Sequence, residues 1–246
     1  MINRKLVFVY CITFVSNVFA AGGSGVPLLD ANVDTSKQNS LQRGARTYFN
    51  YCAGCHSLKY MRYNRLARDL GIEESLVKTN LMFATDKIVD TINVSMGSAE
   101  AESWFGVTPP DLSVTSRVRG ANWLFSFLNG FYLDESRPTG VNNIYYPQTA
   151  MPHVLWELQG HRNLVDNKTN EGKHSNDSVS FSTIVDGRLS SDEYQSLTRD
   201  LVSFLVYVGE PARLVRYKLG FWVIAFLCVL FVFAYLTKKE IWKDVH

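Results

Sequence analysis

The sequence predicts a mainly α-helical soluble domain with long loops, exported from the cytoplasm and held by one C-terminal transmembrane helix. Three observations predict it. Residues 219–236 form an uncharged apolar run. Leu197, Leu201, Phe204, Leu205 and Val208 recur at the spacing of one helix face. Alternating strand–helix units are absent, which argues against a dinucleotide-binding sheet. The 246 residues suit one or two domains. A formal net charge of +2 is too small to imply a nucleic-acid partner, and there is no Lys/Arg-rich run or Gly-rich phosphate loop.

The chain opens like a secretory signal peptide over residues 1–20. Arg4 and Lys5 supply the positive start, Leu6 to Val15 the apolar stretch, and Val18-Phe19-Ala20 the cleavage positions. Cleavage is expected after Ala20, with Ala21 as the alternative. An uncleaved anchor would need a longer run, and Ser16 and Asn17 interrupt this one. The short basic leader, unlike an Arg-rich transit sequence, points to a bacterial inner membrane with the soluble part in the periplasm.

Along the exported part, residues 21–38 are Gly/Ser/Asn/Asp-rich and read as extended. Ser40 is placed to cap a helix from Leu41 to about Tyr51. Further helices are expected over Tyr60 to Leu70, stopped by Gly71, and over residues 85–96. After the Pro109-Pro110 break, Leu112 to Asn129 reads as helical. Residues 130–150 are turn-rich, 163–178 a solvated polar loop, and Val179 to Val185 a short strand. Ser190 or Ser191 caps the last soluble helix, which Gly209 and Pro211 end.

The run from Leu219 to Leu236 would extend ~27 Å as a helix, close to the hydrocarbon thickness. Trp222 and Tyr235 lie near its ends, where amphipathic rings prefer the interface. A buried core helix would carry a polar stripe, and this run has none. Arg213, Arg216 and Lys218 precede it while Lys238, Lys239 and Lys243 follow, so flanking charge does not orient it. Export does. The expected division is a periplasmic domain over 21–216, a membrane helix over 217–237 and a cytoplasmic tail over 238–246.

Of four cysteines, Cys11 lies in the leader and Cys228 in the apolar run. Cys52 and Cys55 remain, too close together for a fold-stabilising disulfide. They belong to Cys52-Ala53-Gly54-Cys55-His56, the attachment signature of c-type haem. Two thiols at this spacing add to two porphyrin vinyl groups, and the next residue brings its imidazole beneath the iron. A redox dithiol would want a thioredoxin-like strand–helix setting. A zinc site would want two further close ligands. Neither is present.

A methionine as sixth ligand raises the potential and closes the iron to small molecules, which suits electron transfer. Met61 is five residues from His56 and lies on the same side, and Met82 sits among apolar residues. Spacing leaves Met96 and Met151 level, with His153 and His161 keeping a bis-histidine arrangement open.

These residues resemble the cytochrome c1 family of the cytochrome bc1 complex. The resemblance runs through Arg43-Gly44 to His56, Pro109-Pro110-Asp111-Leu112-Ser113 and Arg117-Val118-Arg119-Gly120. It continues in Trp123 to Phe131, Tyr145-Tyr146-Pro147, Ala150-Met151-Pro152, Asp200 to Leu205 with Gly209-Glu210-Pro211, and the single anchor. It implies a class I-like cytochrome c domain with long loop insertions and one covalent haem c. By this similarity Met151 is the axial methionine, and Met96 is structural. Pro110 lines the proximal side, where a backbone carbonyl can accept from His56, and Arg119 meets a haem propionate. Tyr145 and Tyr146 are expected as pocket wall. The implied partners are cytochrome b, the Rieske iron–sulfur protein and a soluble or tethered cytochrome c, in a dimeric membrane complex that relays single electrons. The chain departs from the family in placing Trp123 at the aromatic position near the arginine, after an apparent shortening. It also lacks a dense acidic insertion.

Overall fold

The structure is a computed structural model that describes residues 26–165 and 180–243. The leader, its cleavage positions and residues 166–178 of the expected loop lie outside the described residues.

The core is built on two helices far apart in sequence. Helix α1, Gln38–Tyr51, buries Leu41, Ala45, Tyr48 and Phe49 on one face. Its principal partner is the last soluble helix, Ser191–Gly209, which buries Leu201, Phe204, Leu205 and Val208. Ser190 caps that helix by accepting from Glu193 N–H, and the Glu193 side chain accepts in return from Ser190 N–H. This reciprocal box satisfies two donors that a helix start otherwise leaves open.

The two helices touch backbone to backbone. A Cβ on Gly44 would lie 2.1 Å from the Asp200 carbonyl oxygen, so only glycine fits there. Asp200 also accepts from the Ser40 hydroxyl at 2.5 Å and from Arg43 Nε at 2.6 Å. Beside that carboxylate the Arg43 guanidinium is held above its ordinary pKa.

Between these helices in sequence come short elements. Strand β1, Leu58–Arg62, pairs antiparallel with β2, Thr91–Ile92. Helices α2, Tyr63–Leu70, and α3, Glu74–Asn80, follow β1. Helix α4 is Ser98–Phe105, α5 Thr115–Arg119 and α6 Ala121–Asn129. Strands β3, Phe131–Leu133, and β4, Val141–Asn143, form a hairpin. Helix α7, Trp156–Gln159, leads into β5, Gly160–Val165, which pairs with β6, Ser180–Asp186. The helix capped by Ser190 is α8. Helix α9, Arg213–Ile241, is long and apolar enough to cross a membrane, and its apolar stretch is exposed among the described residues.

Several local expectations give way to tertiary structure. Residues 85–96 form no helix: the β-branched pair Thr91–Ile92 goes into β2, and Ile92 is buried opposite Leu58. Residues 60–62 likewise extend β1 instead of starting α2. The stretch 112–129 is broken into α5 and α6 at Gly120, whose φ of +88° is open to glycine and strained for other residues. Helices α3 and α4 and the β3–β4 hairpin arise where no regular element is expected. Residues 163–165 belong to β5 instead of a loop.

Candidate functional site

The proximal half of the site grows from the end of α1. Cys52 N–H donates to Tyr48 O, and Cys55 and His56 N–H both donate to Cys52 O, at 3.0 and 2.9 Å. One more helical turn is thus wound past Tyr51. Residues three and four apart lie on one face of such a turn, so both thiols and the imidazole project together. Cys52 and Cys55 are free, not joined to each other. Burial pushes the Cys52 thiol up to about 12 and raises Cys55 as well.

His56 is fixed from two directions. The Tyr48 hydroxyl donates to its backbone carbonyl at 2.5 Å. Its ring Nδ1 lies 2.7 Å from the Pro110 carbonyl oxygen, so Nδ1 carries the proton and Nε2 keeps its lone pair. Burial lowers the His56 pKa, opposed first by the Pro110 bond and then by the charge of Asp111. A neutral imidazole with Nδ1–H donated to a carbonyl and Nε2 available is the form in which histidine ligates a metal. These residues fit a covalently attached haem.

The Pro110 carbonyl is held by its neighbours. Leu112 N–H donates to Ser57 O at 2.9 Å, Lys59 N–H to Asp111 Oδ2 at 2.8 Å, and Tyr60 N–H to Ser113 Oγ at 3.1 Å. The segment Pro110–Ser113 is therefore laced to residues 57–60. Met96 lines a cavity of about 270 Å³ with Cys55, Pro109 and Asp111, on the side of this ladder.

The segment leading to Met151 rests on buried amides. Asn143, fully buried, donates to Phe127 O at 2.7 Å and accepts from Tyr145 N–H at 3.0 Å. Asn142 accepts from Gln148 N–H at 2.9 Å and donates to Asp134 at 2.8 Å. Gln148 takes a left-handed φ of +63°, and Arg137 donates to its carbonyl. Three residues on, Met151 is half-buried against the core. Sequence reading missed Asn142 and Asn143; two adjacent asparagines before an aromatic pair were the available signal.

Arg119 ends α5, exposed, with its guanidinium 4.9 Å from the Trp123 ring centre and 5.7 Å from that of Tyr146. No carboxylate pairs with it among the described residues. Trp123, Phe127 and Tyr146 form an aromatic wall beside it, with Trp123 stacked on Phe127 at 5.1 Å. Tyr145 is buried. His153 lies flat on Phe131 at 4.7 Å and His161 on Trp156 at 5.2 Å, so both rings are engaged in packing.

The model of the cytochrome C1 family matches residues 29–245. The chain is 46% identical over 243 residues to a cytochrome c1 of Allochromatium vinosum, covering 99% of this chain and 100% of that one. It is 38% identical over 253 residues to a Nitrosomonas europaea protein named as an ammonia monooxygenase gamma subunit, covering 100% and 99%. A chain of a hyperthermophilic respiratory Complex III is similar with a TM-score of 0.43 and 16% identity, covering 99% and 95%.

Proposed function

The chain belongs to the cytochrome c1 family, whose members carry a covalent haem c, and we propose that it relays single electrons from a Rieske iron–sulfur protein to a cytochrome c. It is a membrane-anchored electron-transfer subunit. The observation that carries the relay is the state of His56, its Nδ1 proton committed to Pro110 and its Nε2 free beside two unpaired thiols.

When bound, the haem supplies a metal that takes up and gives up one electron. Cys52 and Cys55 hold it covalently. His56 would ligate it through Nε2, and the Pro110 carbonyl fixes that ring and strengthens it as a donor. Met151 would supply the second ligand through its thioether sulfur; Met96, which lines the cavity beside Cys55, would be a structural residue. Arg119 offers its exposed guanidinium to a propionate carboxylate. Trp123, Phe127 and Tyr146 would form the pocket wall beside it. The relay asks no side chain to move a proton, so no catalytic acid or base is assigned.

In the cell, residues 1–20 are cleaved and 21–216 lie in the periplasm. Residues 217–237 cross the bacterial inner membrane, and 238–246 end in the cytoplasm. The partners are cytochrome b and the Rieske protein, in a dimeric complex with a soluble or tethered cytochrome c as acceptor.

The test is affinity purification from native membranes followed by quinol-driven reduction. Co-purification with a Rieske protein and a di-haem cytochrome b is expected, with turnover lost in His56→Ala although the complex assembles. Co-purification with the subunits of an oxygenase, as the name of the Nitrosomonas relative would suggest, or full turnover in His56→Ala, would overturn the reading.

A further inference from the structure

The ladder that carries the Pro110 carbonyl contains one charged rung. Asp111 accepts from Lys59 N–H through Oδ2 at 2.8 Å and from Ser113 N–H through Oδ1 at 2.9 Å. Its own carbonyl accepts from the Thr115 hydroxyl at 3.1 Å. The same carboxylate thus closes the turn after Pro110 and ties that turn to the strand leaving His56. The other rungs, Leu112 N–H to Ser57 O and Tyr60 N–H to Ser113 Oγ, are neutral.

We propose that Asp111 is a positioning residue for His56. By bridging Lys59 and Ser113 it holds the Pro110 carbonyl on the Nδ1 proton, and it sets a fixed negative charge on the proximal side. Both actions make the imidazole a better donor and favour ferric iron, which lowers the potential of the metal that His56 ligates. The inference rests on the ligation proposed above.

The test is a potentiometric titration of the full-length protein in detergent, with haem content and the oxidised sulfur-to-iron charge-transfer band measured on each sample. Asp111→Asn removes the charge and one acceptor; a severalfold shift of the redox equilibrium toward the ferrous form is expected, with the charge-transfer band retained. Ser113→Ala removes one neutral rung and no charge, and is expected to shift the potential less than Asp111→Asn does. Asp111→Glu keeps the charge and is expected to lie nearer the unaltered protein than Asn does. If the Asn variant takes up no haem, Asp111→Glu decides: native potential supports the proposal, and an equal failure to load overturns it. An unchanged potential in Asp111→Asn, or an equal shift in Ser113→Ala, also overturns it. Absence of the charge-transfer band from the unaltered protein would instead sink the ligation itself, however Asp111 behaves.

Discussion

The segments that carry His56 and Met151 are held by different means. Around His56, order comes from chain spacing and short-range bonding: one extra helical turn, then a ladder of main-chain and side-chain bonds between residues 56–60 and 110–113. Before Met151, the chain from 144 to 151 has no regular element, and side-chain amides from the β3–β4 hairpin hold it. A ligand placed by local spacing can be read from a short motif. A residue placed by a tertiary polar network cannot, because the groups its asparagines bind, such as the Phe127 carbonyl and the Asp134 carboxylate, follow no local pattern.

The comparison can be broken most forcefully at Met151. In Met151→Ala the covalent haem should remain while the charge-transfer band disappears, the potential falls and the reduced protein binds carbon monoxide. An unchanged spectrum with no carbon monoxide binding would mean that another side chain is the sixth ligand.

Next in size is the support beneath it. Asn143→Leu leaves the Phe127 carbonyl and Tyr145 N–H buried without their partner, which should cost about 2–3 kcal/mol. Denaturant unfolding measures the loss, and the charge-transfer band should weaken while haem attachment persists. Equal weakening from a neutral surface change such as Lys78→Ala would show that the amide network has no special hold on Met151.

The scaffold beneath both segments is the contact of α1 with α8. Gly44→Ala forces a methyl onto the Asp200 carbonyl, and overpacking of this kind costs about 1–3 kcal/mol. A midpoint of unfolding equal to that of the unaltered protein would contradict the backbone contact. The smallest effect is expected at the start of α8. Ser190→Ala should cost about 1 kcal/mol. Hydrogen bonds from Ser190 hold the Glu193 carboxyl below its ordinary pKa. The cap's contribution is therefore present above the unfolded value of 4.5 and is lost as pH falls through the lower folded value. Identical amide protection in the first turn of α8 at pH 6 and pH 3 would rule this out.

What was legible follows the same division. The attachment motif, the body of α1, the Ser190-capped helix and the apolar anchor are each encoded by near neighbours in sequence, through spacing, a cap or unbroken apolarity; the start of α1 is not, since Ser40 lies inside the helix and bonds Asp200 while Lys37 stands at the N-cap. The helix expected over 85–96 failed because Ile92 gains more by burying against Leu58 than its neighbours gain from helix. The helix expected over 112–129 was cut at Gly120. Arg43 and Gly44 could be seen in the sequence, but Asp200, which explains both, lies more than 150 residues away. Spacing alone left Met96 and Met151 level for the same reason.

The most direct measurement is acid–acetone extraction of the purified full-length protein, followed by the visible spectrum of the oxidised form. Thioether attachment through Cys52 and Cys55 with His56 and Met151 as axial ligands predicts that the pigment stays with the polypeptide and that the sulfur-to-iron band is present. Pigment released into the solvent, or a native spectrum without that band, would contradict the account.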